Sequence, residues 1–554
     1  MTKKLRVALA GAITSALFKY TSVRQWSLFR ILLLWALVTL APTLWSAFYT
    51  VAIYPFFSPY RNLPKPNEPV HWFFGNLISI QDDEVWPGSK RLEWMLSHPQ
   101  APWIVYYSAF QIERLLLCTV TAAQTVLMTK SYSFKKPALT KSVLEFMIGE
   151  GLLTIEGDVH RRQRKLLTPA FAFGHIKALV PTFEGVILRL AGNIAAGFDK
   201  GEKDKDGLVD IAIDPLLHQT TLDVIFQAGF GVDLNPIENE DHPIVQAYRT
   251  IFHIPAKISL LIRLKFVFTI FFGPGIIPNP RDRAIKRSKK VINDFCYELL
   301  REKRQKHEIA MKFGKEPSSI EYDLLNIMVK ESNGLTDHEI IDNMATFLAA
   351  GHETTSNAST FAVYLLTKYP EIQVKLREEI RKFIPSYTLQ GLRSGNNVLL
   401  PATFEVIESM KYLSNFSREV LRFMPPVPMT NREAVEDVMV DDLLIRKGTS
   451  IFVPIAPMNR LPSIWGPDAD QFNPDRWNNL PETAVTPYAF ETFLQGPRGC
   501  IGRRFAETEF KIILIGLVGI FELVEADPNR EYKIKSGITS KFVNPLHVKV
   551  RYAP

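Results

Sequence analysis

The stretch FLQGPRGCIG, residues 493–502, sets Phe493, Gly496, Arg498, Cys500 and Gly502 at its first, fourth, sixth, eighth and tenth places. At average residue usage, a chance match to these five fixed positions anywhere in the chain is rarer than roughly one in a thousand. Gly496, Gly499 and Gly502 let the backbone turn tightly and let a flat ligand come close to it. Working outward, residues 503–524 read as one helix, polar at first and then apolar all round through IILIGLVGIF, so it is expected to be buried. Cys500 then stands at the positive end of that helix, where a thiolate is stabilised.

Bulk properties narrow the rest. With 47% hydrophobic and 22% charged residues the chain has the composition of a folded globular protein. Its three cysteines, Cys118, Cys296 and Cys500, are too few for a disulfide framework, which points to a reducing compartment. A net charge of +8 raises the question of nucleic acid, but the positives are dispersed and no nucleic-acid motif accompanies them. Anionic lipid or an acidic protein is the partner class that fits.

Residues 31–54, ILLLWALVTLAPTLWSAFYTVAIY, carry no charge and are long enough to cross a hydrocarbon core of ~30 Å, even with Pro42 inside. The segment is too long and too far from Met1 for a cleaved signal peptide. Residues 7–18 are apolar but short; they either lie in the interface or pair with the span as a hairpin. Lys3, Lys4, Arg6, Lys19, Arg24 and Arg30 all precede the span and place its N-terminal side in the cytosol, in conflict with a cytosolic catalytic body unless the first segment also inserts. Pro55, Pro59, Pro64, Pro66 and Pro69 follow as a stiff spacer. The expected organisation is a membrane anchor and proline-rich hinge over residues 1–62 and a catalytic domain over residues 63–554. That domain reads as mainly α with a small β part, because helical patterns run over 285–306 and 336–368 while strand-like pieces such as 451–453 are few and short.

Three further patterns precede the cysteine loop. In GDVHRRQRK, residues 157–165, helical spacing puts His160 and Arg164 on one face, where both can donate to a carboxylate. AGHETT, residues 350–355, lies in a helix opened by the capping box Thr336-x-x-Glu339. There Gly351 is expected to leave room beside the helix for a diatomic ligand, and the Thr354 hydroxyl can bond back to the carbonyl four residues earlier. The run begins like a zinc-binding HExxH helix, but Ser356 stands where the second histidine is needed. EVLR, residues 419–422, puts a carboxylate and a guanidinium on one helix face, and PDRW, residues 474–477, lies downstream.

Together these residues resemble the cytochrome P-450 family, whose haem-binding signature is FxxGxRxCxG. The resemblance runs from about residue 62 to the C-terminus in the family's order: proline-rich hinge, His/Arg helix, oxygen-activating helix, ExxR, PERF-like segment, cysteine loop. WGPDADQF, residues 465–472, is similar to the eukaryotic microsomal branch, and to fungal members in particular. The resemblance implies the cytochrome P-450 fold behind an N-terminal transmembrane helix, with haem b (iron protoporphyrin IX) as cofactor and Cys500 as its metal ligand. A thiolate on haem iron pushes electron density onto the metal and favours O–O cleavage. By the same resemblance Phe493, Arg498 and Gly502, with His160, Arg164 and Arg432, are cofactor-binding residues, the basic ones as donors to the porphyrin propionates. Thr354 resembles the oxygen-activating alcohol, and Glu353 the neighbouring acid of its proton relay. Glu419, Arg422 and Arg476 match the family's buried structural triad, which Asp475 and Trp477, departing from the Glu and Phe of the motif name, leave untouched.

The implied activity is insertion of one oxygen atom from O2 into a lipophilic small molecule (a terpenoid, sterol, fatty acid or aromatic) in secondary or lipid metabolism. Electrons are expected from NADPH through a separate NADPH-cytochrome P-450 reductase, with cytochrome b5 as a second candidate donor. The expected location is the endoplasmic reticulum membrane, bound to membrane lipid, with the catalytic domain facing the cytosol. Substrate contacts are expected from residues 131–151, 347–350, 427–430 and 537–542. Residues 266–277, FVFTIFFGPGII, are either an entrance dipping into the bilayer or a core segment. Arg498, Arg503, Arg504 and Lys511 are expected to present a positive docking surface to an acidic flavoprotein. A reductase-independent haem-thiolate isomerase or lyase and a non-catalytic haem sensor are the alternatives; the Glu353–Thr354 pair favours oxygen activation.

Overall fold

The computed structural model of the chain describes residues 45, 48–49, 53–82, 85–252, 280–312, 323–331, 334–393 and 402–554. Most of the expected span at 31–54, and all of residues 7–18 and 266–277, lie outside them. The chain divides into two compact units, Met1–Glu84 with Gln100–Leu116, and Val85–Pro99 with Leu117–Pro554.

In the smaller unit β1 (Trp103–Tyr107) and β2 (Glu113–Leu117) are neighbouring strands. β1, WIVYY, is made of large aromatic and β-branched residues and is buried throughout, as a strand covered on both faces must be. Gly75 crosses it so closely, at φ +60, that a side-chain carbon there would lie 2.3 Å from the Tyr107 carbonyl oxygen. Asn76 then pairs with Tyr107 twice, its amide donating to the Tyr107 carbonyl (2.7 Å) and its side-chain oxygen accepting from the Tyr107 amide (2.9 Å).

The larger unit is mainly helical. Its elements run β3 (Phe134–Lys135), α1 (Ala138–Ile148), α2 (Gly157–Leu167), α3 (Phe173–Lys200), β4 (Val209–Ala212), α4 (Ile213–Val224), α5 (Pro243–Phe252) and α6 (Pro280–Lys312). They continue with α7 (Asp337–Lys368), α8 (Pro370–Phe383), α9 (Lys411–Phe423), β5 (Thr430–Ala434), β6 (Val438–Val440), β7 (Leu443–Ile445), β8 (Ser450–Val453), α10 (Arg503–Ile520), β9 (Phe521–Glu525), β10 (Ile534–Ser536), β11 (Ser540–Phe542) and β12 (His547–Tyr552). The mainly α class with a small β part is what the structure has.

α7 starts where its capping box places it: the Thr336 hydroxyl accepts from the Glu339 amide and the Glu339 carboxylate accepts from the Thr336 amide. α10 is buried from Thr508 to its end and packs on α3, α7 and α8. Gly516 makes the contact with α3 possible, since a side-chain carbon there would come within 2.4 Å of Ile187 Cγ2. Among the described residues α3 is the one helix long and apolar enough to cross a membrane, but half of its apolar window is buried and it packs on α4 and α10, so it is a core helix.

The helix expected over 503–524 ends four residues early, at Ile520. Phe521–Glu525 instead forms β9, with Leu523 opposite Val550 and Phe521 opposite Tyr552 of β12. In FELVE, buried Phe521 and Leu523 flank the outward Glu522, and β12 supplies the partner strand that an apolar run read alone does not reveal. β12 also pairs antiparallel with β4, and β5 with both β3 and β8. β6–β7 and β10–β11 are antiparallel hairpins.

Candidate functional site

The cysteine loop is shaped before any ligand is considered. Gly496 sits at φ +74 with its missing side chain aimed at the Leu127 carbonyl oxygen, where a carbon would be 2.3 Å away, so no other residue fits without moving backbone. The Gly499 amide donates to the Gly496 carbonyl (2.9 Å) and the Cys500 amide to the Phe493 carbonyl (2.8 Å), closing two small rings around the cysteine. From α2, Arg164 Nη1 donates to the Gly499 carbonyl (2.6 Å) and pins that helix to the loop.

Cys500 is solvent-accessible, whereas Cys118 and Cys296 are buried. Its sulfur nevertheless stands deep enough among protein atoms that burial pushes the thiol pKa up, against the Gly502 amide and Arg164, which favour the thiolate. Desolvation is the larger of these effects. A coordinated metal ion removes a cysteine proton outright.

Beside the loop stands a concentration of positive charge. His160 and Arg164 of α2, Arg432 of β5, Arg498 of the cysteine loop and Lys136 after β3 lie close enough for the cations to act on His160. Glu156 is the carboxylate that pairs with Arg498 and stands 3.8 Å from Lys136 Nζ. Burial, with repulsion from Arg432 and Arg498 and partial relief from Glu156, lowers Lys136 to about 7. Burial and the neighbouring cations lower His160 to about 3, so it is neutral at physiological pH, its Nδ1 3.2 Å from the Tyr132 hydroxyl. Arg432, fully buried and facing Arg498, falls to about 10 and bonds the Thr430 hydroxyl (3.0 Å) and the Asn431 carbonyl (2.9 Å). Four cations withdrawn from water around one carboxylate is an arrangement that a dianion would relieve. One accessible sulfur, glycines that permit close approach and this surplus of donors suit a flat metal chelate bearing two carboxylates, which is what haem is.

Lys136 is absent from the sequence-derived set. It is a single lysine before Pro137, and only the pairing of β3 with β5, Phe134 opposite Ala434, carries it to Arg432.

On α7 the Thr354 hydroxyl donates to the Ala350 carbonyl (2.7 Å), the back-bond expected of it. Glu353 is ion-paired with Lys541 of β11 (3.5 Å). Gly351 does not have the expected role. A side-chain carbon there would lie 3.1 Å from Ile225 Cδ1, so the glycine lets α7 pack against the segment following α4 and does not reserve space for a small ligand. His352 is buried with Nδ1 2.9 Å from the Tyr248 hydroxyl, and burial drives it well below the usual histidine range.

Glu419 and Arg422 are completely buried and paired through two bonds, Nε to Oε2 (2.9 Å) and Nη2 to Oε1 (2.7 Å). Arg476 Nε stands 3.5 Å from Glu419 Oε1 and its Nη1 donates to Asp468 (2.7 Å). Trp477 is more than a tolerated departure: its indole N–H donates to Glu419 Oε2 (3.0 Å), which phenylalanine cannot do. Asp475 faces outward to Lys375.

The four-residue docking surface does not form as expected. The Arg498 side chain is 5% exposed and turned toward Glu156, and that of Lys511 is 10% exposed and paired with Glu408 (2.7 Å). Arg503, its side chain 40% exposed, pairs with Glu507, and Arg504 is exposed beside it. Spacing along α10 does not say which basic residues turn inward.

The sequence profile of the Cytochrome P450 family matches residues 64–546. The chain is 34% identical over 565 residues to Cytochrome P450 monooxygenase FUM15 of Gibberella moniliformis, covering 93% of this chain and 91% of that protein. It is 32% identical to Cytochrome P450 monooxygenase sphH of Aspergillus fumigatus (89% and 88% covered) and 31% identical to Cytochrome P450 monooxygenase ALT8 of Alternaria alternata (90% and 90%).

Proposed function

Because this chain belongs to the cytochrome P450 family and is an oxygen-incorporating oxidoreductase, we propose that it holds haem b on Cys500 and inserts one atom of O2 into a lipophilic small molecule of secondary or lipid metabolism. The observation that carries this is one accessible cysteine in a glycine-shaped loop beside four cations withdrawn from solvent. When bound, haem supplies the iron at which dioxygen is activated. Cys500 would be its ligand, and Lys136, Arg432, Arg498, Arg164 and neutral His160 the donors to its two carboxylates, with Phe493 and Gly502 flanking the ligand. Thr354, through its hydroxyl, passes protons to the reaction, and Glu353 replenishes them.

Electrons come from NADPH through a separate reductase, with cytochrome b5 as a second donor. Exposed Arg504 is the basic residue of α10 best placed to meet an acidic flavoprotein. The apolar sequences at 347–350 and 427–430 favour a lipophilic substrate. With reductase and NADPH, the protein is expected to consume oxygen in a substrate-dependent way, and Thr354→Ala to lower product per NADPH by about tenfold or more while oxygen use continues. Oxygen use that ignores every lipophilic probe would favour a sensor; turnover of a peroxide without reductase would favour an isomerase or lyase.

We also assign residues 1–62 to a membrane anchor and hinge, and residues 63–554 to the catalytic domain, on the cytosolic face of the endoplasmic reticulum. Exposed Phe56, Phe57, Trp72 and Phe74 follow the apolar segment and suit the headgroup layer, where aromatic rings concentrate. Alkaline carbonate washing of microsomes should leave the full chain in the pellet; release into the supernatant would remove the spanning segment from this reading.

A further inference from the structure

The acid beside Thr354 is held from outside its own helix. Lys541 Nζ lies 3.5 Å from Glu353 Oε1, with the carboxylate side chain 12% exposed and the lysine 32% exposed, so Lys541 is the end of the pair nearer to water. The pair is screened by water at its lysine end only, so the cation faces a carboxylate that is itself largely enclosed. The strand that carries it is fastened to α7 further along. Phe542 meets Phe361 and Tyr364 edge-on, each at 5.3 Å between ring centres, and the Ser540 amide donates to the Pro426 carbonyl (2.8 Å). β10 and β11 pair with Ile534 opposite Phe542, and the turn between them exposes Ile538.

The groups on the other side offer no substitute. His352 bonds Tyr248, and His218 bonds the Ser356 hydroxyl (2.9 Å). Burial keeps both histidines neutral, His218 at about 4. Among the described residues Lys541 is the cation that pairs with Glu353.

Building on the monooxygenase reading, we propose that Lys541, presented by the β10–β11 hairpin, is a positioning residue for proton delivery by the Glu353 carboxylate. A glutamate on a helix has several rotamers, and a fixed cation selects one. Glu353 takes a proton from water, passes it to the Thr354 oxygen, and Thr354 gives up its own hydroxyl proton to the reaction, so both side chains return to their starting state. Without Lys541 the protons arrive without that positioning, and O2 with two electrons and two protons leaves as hydrogen peroxide in place of product.

The experiment uses the full chain with reductase and NADPH. The probe is whichever of dodecanoic acid, farnesol, ergosterol and naphthalene most shifts the haem Soret band and is turned over. K541M is expected to lower product per NADPH by about three- to tenfold and to change the solvent deuterium isotope effect on kcat, with K541R restoring most of the loss. In the E353Q background, adding K541M should change neither readout further, because the lysine acts through that carboxylate. Equal coupling and isotope effect in K541M and wild type would overturn the proposal, as would an equal loss on adding K541M to either background. The reduced carbonyl spectrum checks that each variant is loaded, and K541Q carries the same comparison if K541M is not. A loaded wild type that consumes no oxygen with any probe overturns the monooxygenase reading as well, so the two failures are distinguishable.

Discussion

Replacement of Glu419 by alanine is expected to destabilise the folded protein by about 3–5 kcal/mol, a large part of the ~5–15 kcal/mol that holds a typical fold together. The carboxylate is completely buried and accepts from Arg422 twice, from the Trp477 indole, from the Asn473 amide (2.9 Å) and, at the limit of bonding distance, from Arg476. Its removal leaves the Arg422 guanidinium with carbonyl partners at Asn459, Ala469 and Gln471 but without a counter-charge, in a place water does not reach. Arg476 keeps Asp468, so the loss falls mainly on Arg422. Asp475, in the same PDRW segment, provides the contrast. Its ion pair with Lys375 is half exposed on both sides, and Asp475→Ala should move stability by no more than ~0.5 kcal/mol. Denaturant midpoints of the two variants check this; a Glu419→Ala midpoint no lower than that of Asp475→Ala would show that the buried network does not carry the core beneath the cysteine loop.

What could be read from the sequence was whatever a local spacing fixes. The cysteine loop, the Glu419–Arg422 pair, the Thr354 back-bond and the Thr336 capping box are each set within four to ten residues, and each takes the expected form. Where a contact arrives from far along the chain, spacing is silent. Lys136 reaches Arg432 through β3 and β5, and Lys541 reaches Glu353 across nearly two hundred residues. β9 could not be told from a continuing helix because its partner, β12, lies beyond it. Gly351 was given the wrong neighbour, since helical phase tells which residues share a face but not what packs on it. The inward turn of Arg498 and Lys511 has the same origin: a basic residue next to a functional loop reads as surface until its partner, Glu156 or Glu408, is located.

Loss of Cys500 should have the largest functional effect of any single substitution. No other cysteine can take its place, for Cys118 and Cys296 are buried, and burial raises the Cys296 thiol to about 12, far from the thiolate a metal requires. The cationic cluster of Lys136, Arg164, Arg432 and Arg498 remains in Cys500→Ala, so haem is still expected to bind while turnover is abolished. The decisive measurement is the absorption spectrum of the reduced carbonyl complex. Wild-type protein is expected to show the red-shifted Soret band of thiolate ligation and haem-loaded Cys500→Ala to lack it; persistence of that band in the variant would contradict the assignment of Cys500 as the iron ligand.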